Sequence, residues 1–246
     1  PYLQSLSDSV MLSRTLHICG TGESAVESRL HDQMEAMTNP TLAPYAKEGI
    51  VDLRITAKAS SEEEAERMIQ PVEVMIRDMF GDQVFGQDGQ TLESVVVQLL
   101  QEKGWRVATA ESCSGGWACG QIVNCPGASQ VLEGGFVTYS NEAKQSILGV
   151  KKETLEQYGA VSEETAKEMA LGAAQALKTQ TAISITGIAG PGGGTAEKPV
   201  GTVCIGVACQ GKVWTETFQF SRNREANRRL SVVRALNMLR LAILQN

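Results

Sequence analysis

Beyond His31 the sequence contains no histidine; its two imidazoles, His17 and His31, both stand in the first third of 246 residues. Any serine nucleophile in the later two thirds must therefore find a base other than an imidazole of its own domain. Cysteine is present but never as Cys-x-x-Cys. Cys19, Cys113, Cys119, Cys125, Cys204 and Cys209 are scattered, and no histidine accompanies those in the C-terminal part. That spacing argues against a zinc site and for reduced thiols in a cytoplasmic protein. Long apolar runs are missing too, so no segment reaches the roughly 20 residues of a membrane span. Pro1–Gln4 offer no charged stretch leading into an apolar core, so no signal peptide is expected, and a start without Met reads as a fragment or a processed chain. Excess positive charge is also absent: the net charge of −6 disfavours a broad nucleic-acid face. What remains is 42% hydrophobic and 20% charged, ordinary for a soluble protein of one large or two modest domains.

The chain reads as alternating strands and helices. Val10–Cys19 predicts a strand, and Glu23–Met37 carries Ala25, Val26, Leu30, Met34 and Met37 at helical spacing. Thr38–Gly49, with Pro40, Pro44 and Gly49, predicts a loop. Val51, Leu53, Ile55 and Ala57 alternate with polar residues as in a half-buried strand, and Ser60 with Glu63 predicts a capping box opening a helix to about Phe80. The result is a β-α-β-α unit. The polar segment Gly81–Gln90 predicts the boundary, giving domains 1–88 and 89–246. In the second domain, helices are expected from Thr91 to Lys103, from Asn141 to Leu148, from Ser162 to Leu177 and from Glu225 to Leu244. Strands are expected up to Ala108, over Val131–Thr138 and Thr181–Thr186, and as a hairpin, Val200–Ala208 and Val213–Phe220, around Gln210-Gly211. The fold class is α/β, with an antiparallel component from the hairpin.

Four constellations could carry chemistry. In Thr109–Trp117 (TAESCSGGW), Ser112 stands at a strand-to-helix turn, where backbone N–H groups can hold an oxyanion and Gly115 and Gly116 permit close approach. The bland alternative is a helix cap, since serine is favoured there on structural grounds. In Gly134–Lys144 (GGFVTYSNEAK), Tyr139 and Lys144 are the available bases. A lysine serves only if its pKa falls from about 10.4 towards about 7–8, and the alternative is a solvated helix lysine. The run Gly187–Gly194 follows a strand and could bring N–H groups to a phosphate, or could be a flexible turn; it lacks the Gly-Lys-Ser/Thr of an ATP-binding loop. Arg222, Arg224, Arg228 and Arg229 cluster at the start of the last helix, poorly placed for its dipole. They could serve an anion or form a solvated basic face. The first unit has the look of an RNA-binding KH domain, but Gly20-Thr21-Gly22-Glu23 lacks the Gly-x-x-Gly spacing, so no nucleic-acid partner is expected.

Taken together, TAESCSGGW, GGFVTYSNEAK, YGAVSEETAKEMA (Tyr158–Ala170), ITGIAGPGGG (Ile185–Gly194) and EKPVGTV (Glu197–Val203) closely resemble the CinA C-terminal domain, the nicotinamide-nucleotide amidase family. GTGESAVESRL (Gly20–Leu30) and the Ala43–Gly49 segment resemble the KH-like middle domain of full-length CinA proteins. The resemblance implies a three-layer α/β sandwich amidase domain behind a smaller KH-like α+β domain. It implies a serine amidohydrolase converting nicotinamide mononucleotide to nicotinate mononucleotide and ammonia, with no metal and no cofactor. By motif, Ser112 is the nucleophile, Lys144 its base and Tyr139 a relay or orienting residue, with Ser114 a competing hydroxyl in the same turn. Glu111, Ser114, Gly115, Gly116, Thr186, Gly187 and Gly190 would contact substrate, and Arg224 or Arg228 would hold its phosphate. Partners follow as a small nucleotide and, by family, a second copy in a homodimer, with neither membrane nor nucleic acid. Full-length members carry a further molybdopterin-binding-like domain with pyrophosphatase activity. The sequence holds no counterpart of it, and that activity is not expected here. The alternatives are a catalytically inactive nucleotide-binding module, and an N-terminal unit that acts only in dimerisation and spacing.

Overall fold

The computed structural model describes residues 9–246, and the chain divides into two units between Thr91 and Leu92. The first eight residues of the expected 1–88 domain lie outside the described residues. In the first unit, β1 (Val10–Cys19) is followed by α1 (Glu23–Ala36), β2 (Thr41–Lys47), β3 (Ile50–Ala59), α2 (Glu62–Phe80) and β4 (Val84–Gln87). The strands form an antiparallel sheet in the order β2-β3-β1-β4. Alternation along β1 and β3 puts Leu16, Ile18, Leu53 and Ile55 on one face, where they form a core with Val26 and Leu30 of α1 and Ala65, Ile69 and Ile76 of α2. This is the KH-like α+β fold, with element order β-α-β-β-α-β rather than the expected β-α-β-α.

Three local expectations are corrected here. The predicted loop Thr38–Gly49 contains β2, which pairs residue by residue with β3 from Thr41↔Thr56 to Lys47↔Ile50. Pro44 is tolerated because β2 is an edge strand, so its missing N–H breaks no ladder. The boundary segment Gly81–Gln90 contains β4, a short edge strand paired with β1. The cap of α2 lies one residue later than predicted: Ser61 accepts the Glu64 N–H, and the Glu64 carboxylate accepts the Ser60 N–H at 2.9 Å.

The second unit contains α3 (Leu92–Lys103), β5 (Val107–Glu111), α4 (Trp117–Val123), α5 (Ala128–Val131), β6 (Leu132–Val137), α6 (Asn141–Leu148), α7 (Lys152–Tyr158), α8 (Glu163–Leu177), β7 (Thr181–Gly187), β8 (Thr202–Cys209), β9 (Lys212–Gln219) and α9 (Arg224–Leu244). Its sheet runs β6-β5-β7-β8-β9, parallel across β6, β5 and β7 and antiparallel onward through the Gln210-Gly211 hairpin. Ala108, Ala110 and Ala182 face Met169, Ala170 and Ala173 of α8, while α3, α4 and α9 cover the other side, which completes a three-layer sandwich. Small residues permit this close seating: a Cβ at Gly206 would stand 2.6 Å from the Ala166 carbonyl oxygen of α8. No helix among the described residues is long and apolar enough to cross a membrane.

Candidate active site

β5 lies between β6 and β7, and the chain leaves it through α4 on one face and returns through α8 on the other. A crevice opens beyond the carboxyl ends of parallel strands at such a switch point, and Ser112 is the first residue past the end of β5. Its N–H donates to the Ile185 carbonyl at 2.9 Å, so the turn starts tied to β7. The Gly115 N–H then closes onto the Ser112 carbonyl at 3.1 Å, with Gly115 and Gly116 at φ of +66° and +88°. Those left-handed angles are why glycines stand there.

Lys144 arrives from α6. Ser140 caps that helix by accepting the Ala143 N–H at 3.1 Å, and left-handed Gly149 ends it. The cap sets the helix so that Lys144 faces inward, 1% exposed. Its Nζ lies 3.1 Å from Ser112 Oγ and donates to the Thr138 carbonyl at 2.9 Å. No carboxylate forms an ion pair with it among the described residues. Burial therefore pulls its pKa below the ordinary lysine value, opposed by the neighbouring Cys113 thiol. The Cys113 thiol is itself pushed up to about 11, chiefly by burial.

Ser112, Cys113 and Lys144 line a cleft of about 280 Å³. Thr186, Gly187 and Gly190 line it too, as do Tyr139 and Arg224. Arg224 donates to the Gly190 carbonyl at 2.6 Å and to the Tyr139 hydroxyl at 3.3 Å. Tyr139 is 65% exposed, so its hydroxyl engages Arg224 at the solvent side rather than the buried serine and lysine. The Thr186 hydroxyl donates to the Ala160 carbonyl at 2.7 Å and is spent on holding the loop. The orientation of that loop has a steric basis: a Cβ at Gly187 would meet Val203 at 2.7 Å and the Thr202 carbonyl oxygen at 2.8 Å.

Five of the residues assigned to substrate by sequence do not line this cleft. Glu111 is fully buried, and its carboxylate accepts the N–H groups of Ala118 and Cys119 at the start of α4. Ser114 is also fully buried, and its hydroxyl has no partner among the described residues, whereas Ser112 has Lys144. Gly115 and Gly116 shape the turn. Arg228 donates to the carbonyls of Cys113 and Ser114 at 3.0 and 2.8 Å and lies over the Trp117 ring, so it braces the turn instead of an anion. Sequence reasoning in turn missed Thr138, Asn141, Ala160, Val161 and Ile188. Thr138 supplies a carbonyl to Lys144, and the others line the cleft. All five fall inside the motifs singled out above, so the signal was present at the level of motif and not of residue.

With the geometry in hand, the comparisons with known proteins are specific. The CinA C-terminal domain description matches residues 89–243, and the KH domain of damage-inducible protein CinA matches residues 13–86. A Clostridium tetani protein named as competence-damage inducible is 50% identical over 240 residues, 98% of this chain and 59% of its own length. A Clostridium beijerinckii counterpart is 49% identical over the whole chain and 60% of its own length. The chain thus spans about six tenths of the curated relatives it matches. Among solved structures, the competence/damage inducible protein CihA of Agrobacterium tumefaciens is similar at 43% identity and a TM-score of 0.61. That match covers 63% of this chain and 94% of that one. A competence-damaged protein (CinA) superfamily member from Escherichia coli is similar at 37% identity and 0.59, covering 61% and 88%.

Proposed function

The chain belongs to the CinA family, and on that premise we propose that it is a serine amidohydrolase that converts nicotinamide mononucleotide to nicotinate mononucleotide and ammonia. The observation that carries the reading is Lys144 Nζ, buried, without an ion-pair partner among the described residues, and 3.1 Å from Ser112 Oγ. A neutral amine has two N–H bonds and one lone pair. With one N–H committed to the Thr138 carbonyl, the lone pair is available to the Ser112 hydroxyl.

In the first step Lys144 takes the Ser112 proton as Oγ bonds to the carboxamide carbon. The amide oxygen becomes an oxyanion. Cys113, the residue after the nucleophile and part of the cleft lining, offers its backbone N–H as a donor to it. Collapse breaks the C–N bond, the Lys144 ammonium returns its proton to the departing nitrogen, and ammonia leaves. Water then attacks the acyl-enzyme with Lys144 again as base, and nicotinate mononucleotide is released. Arg224 and Tyr139, at the edge of the cleft, hold the phosphate.

The test is ammonia release from nicotinamide mononucleotide by wild type and by Ser112→Ala. The expected result is turnover by wild type and a loss of about a thousandfold or more in the variant, with nucleotide affinity retained. Equal turnover by the variant would remove Ser112 as nucleophile. Binding without turnover by wild type would make the chain a nucleotide-binding module.

A further inference from the structure

Glu111 is a charged residue of the strongest motif that the cleft does not use. Its side chain is 0% exposed, with Oε2 accepting the Ala118 N–H at 3.0 Å and Oε1 the Cys119 N–H at 2.8 Å. Helix α4 has no ordinary cap, because Gly116 stands at its N-cap position with φ of +88° and no side chain to offer. A serine or asparagine cap would satisfy such amides more cheaply than a buried carboxylate, whose desolvation is costly. The carboxylate therefore ties the residue before Ser112 to the residues after the turn.

The main chain of the same residue reaches the base. The Glu111 carbonyl accepts the Thr138 N–H at 2.8 Å, and the Thr138 carbonyl accepts from Lys144 Nζ at 2.9 Å. Lys144 Nζ meets Ser112 Oγ at 3.1 Å, and Ser112 is covalently next to Glu111. A closed ring thus runs through Glu111, Thr138, Lys144 and Ser112.

We propose that Glu111 is a positioning residue for the Ser112–Lys144 pair, its carboxylate locking the turn onto α4 so that Oγ is held at proton-transfer distance from Nζ. It touches neither substrate nor reacting atoms. The proposal rests on Ser112 and Lys144 acting as nucleophile and base. A glutamine of the same shape can accept only one of the two amides and sets an NH₂ against the other, so the lock loosens without loss of volume. Misplacement of a reacting group by about 1 Å can cost about a hundredfold in rate.

The experiment compares wild type, Glu111→Gln, Glu111→Asp and Ser112→Ala. The rate of covalent modification of Ser112 by a fluorophosphonate is followed by intact mass, and kcat and KM are measured for nicotinamide mononucleotide. Modification depends on the nucleophile and not on the identity of the amide. The expected result for Glu111→Gln is a fall of about 10–100-fold in both modification rate and kcat, with KM within about twofold of wild type. Glu111→Asp keeps the charge and recovers part of the loss. Modification of Glu111→Gln at the wild-type rate overturns the proposal, as does a rise in KM that matches the loss in kcat, which would mean a distorted cleft. If Glu111→Gln does not fold, Glu111→Asp decides: slowed modification supports the proposal, and the wild-type rate overturns it. Wild type that is modified at Ser112 yet releases no ammonia defeats the substrate reading and leaves the positioning claim to be decided by the modification rates. Wild type that is not modified at Ser112 defeats both.

Discussion

Each unit buries a nitrogen base, and the two are handled in opposite ways. In the first unit His17 lies opposite Asp52 in the β1–β3 ladder. Nδ1 meets Asp52 Oδ1 at 2.7 Å, Nε2 meets the Asp88 carbonyl at 2.8 Å, and Phe85 stacks on the ring. The other oxygen of Asp52 is taken by Lys47. Every polar atom of the ring is answered. In the second unit Lys144 is as deeply buried, but its partners are a hydroxyl and a carbonyl, and a cleft opens beside it. A base whose ring nitrogens both have fixed partners holds a fold together. One that is denied a counter-charge and set against a nucleophile is poised to move a proton. Of the two histidines and this lysine, the lysine carries the signature of chemistry.

The comparison can be broken most sharply at Lys144. Lys144→Met keeps the volume and removes the base; turnover should fall by about 10²–10⁴-fold, measured as ammonia release at saturating nucleotide. A smaller loss would mean that another group deprotonates Ser112. In the first unit the damage should be structural. Asp52→Ala leaves His17 and Lys47 without their shared carboxylate and should cost that unit about 3 kcal/mol in denaturant unfolding. Serine modification at Ser112 should stay at the wild-type rate. A change in that rate would make the histidine cluster more than a structural pair.

The same lysine should cost stability where aspartate supplies it. The folded-state pKa of Lys144 lies below the ordinary 10.5. Between those two values the unfolded chain binds the extra proton and the folded chain does not, so stability rises with pH through that window. Below it the buried ammonium is a standing penalty. Lys144→Met should therefore melt at or above the wild-type temperature at neutral pH, with the slope of stability against pH reduced in that window. A lower melting temperature would show that the Thr138 and Ser112 contacts outweigh the penalty. At Cys113 the effect is one of reactivity alone. With its thiol at about 11, alkylation at pH 8 should run about a hundredfold slower than for an exposed cysteine, since the thiolate is the reactive form. Rapid modification by iodoacetamide, mapped by mass spectrometry, would show the cleft floor to be more open than the 6% exposure of this residue indicates.

What was legible in the sequence was local. The helix start at Ser162, the Gln210-Gly211 hairpin and the span of β1 follow from signals within a few residues. Strands β2 and β4 were not legible, because an edge strand is decided by the neighbour that pairs with it, and Pro44 and Gly81 read as loop without that neighbour. The site divides likewise. Ser112 and Lys144 lie 32 residues apart, and no periodicity brings them together; the resemblance did. Glu111 and Arg228 were misassigned because both partners are set by tertiary structure. Arg228 reaches back 115 residues to the Cys113 carbonyl, a contact that a basic helix start does not announce. Where a charged side chain is spent on backbone, composition near a motif overstates the number of groups left for substrate.

The most direct test of the central claim is the rate of fluorophosphonate modification as a function of pH, with the modified residue identified by mass spectrometry, in wild type and Lys144→Met. The account predicts modification at Ser112, rising with pH through an inflection below 10.5 as Lys144 loses its proton, and slowed by about a hundredfold without that inflection in the variant. Modification at Ser114, or equal rates in the two proteins across the range, would contradict it.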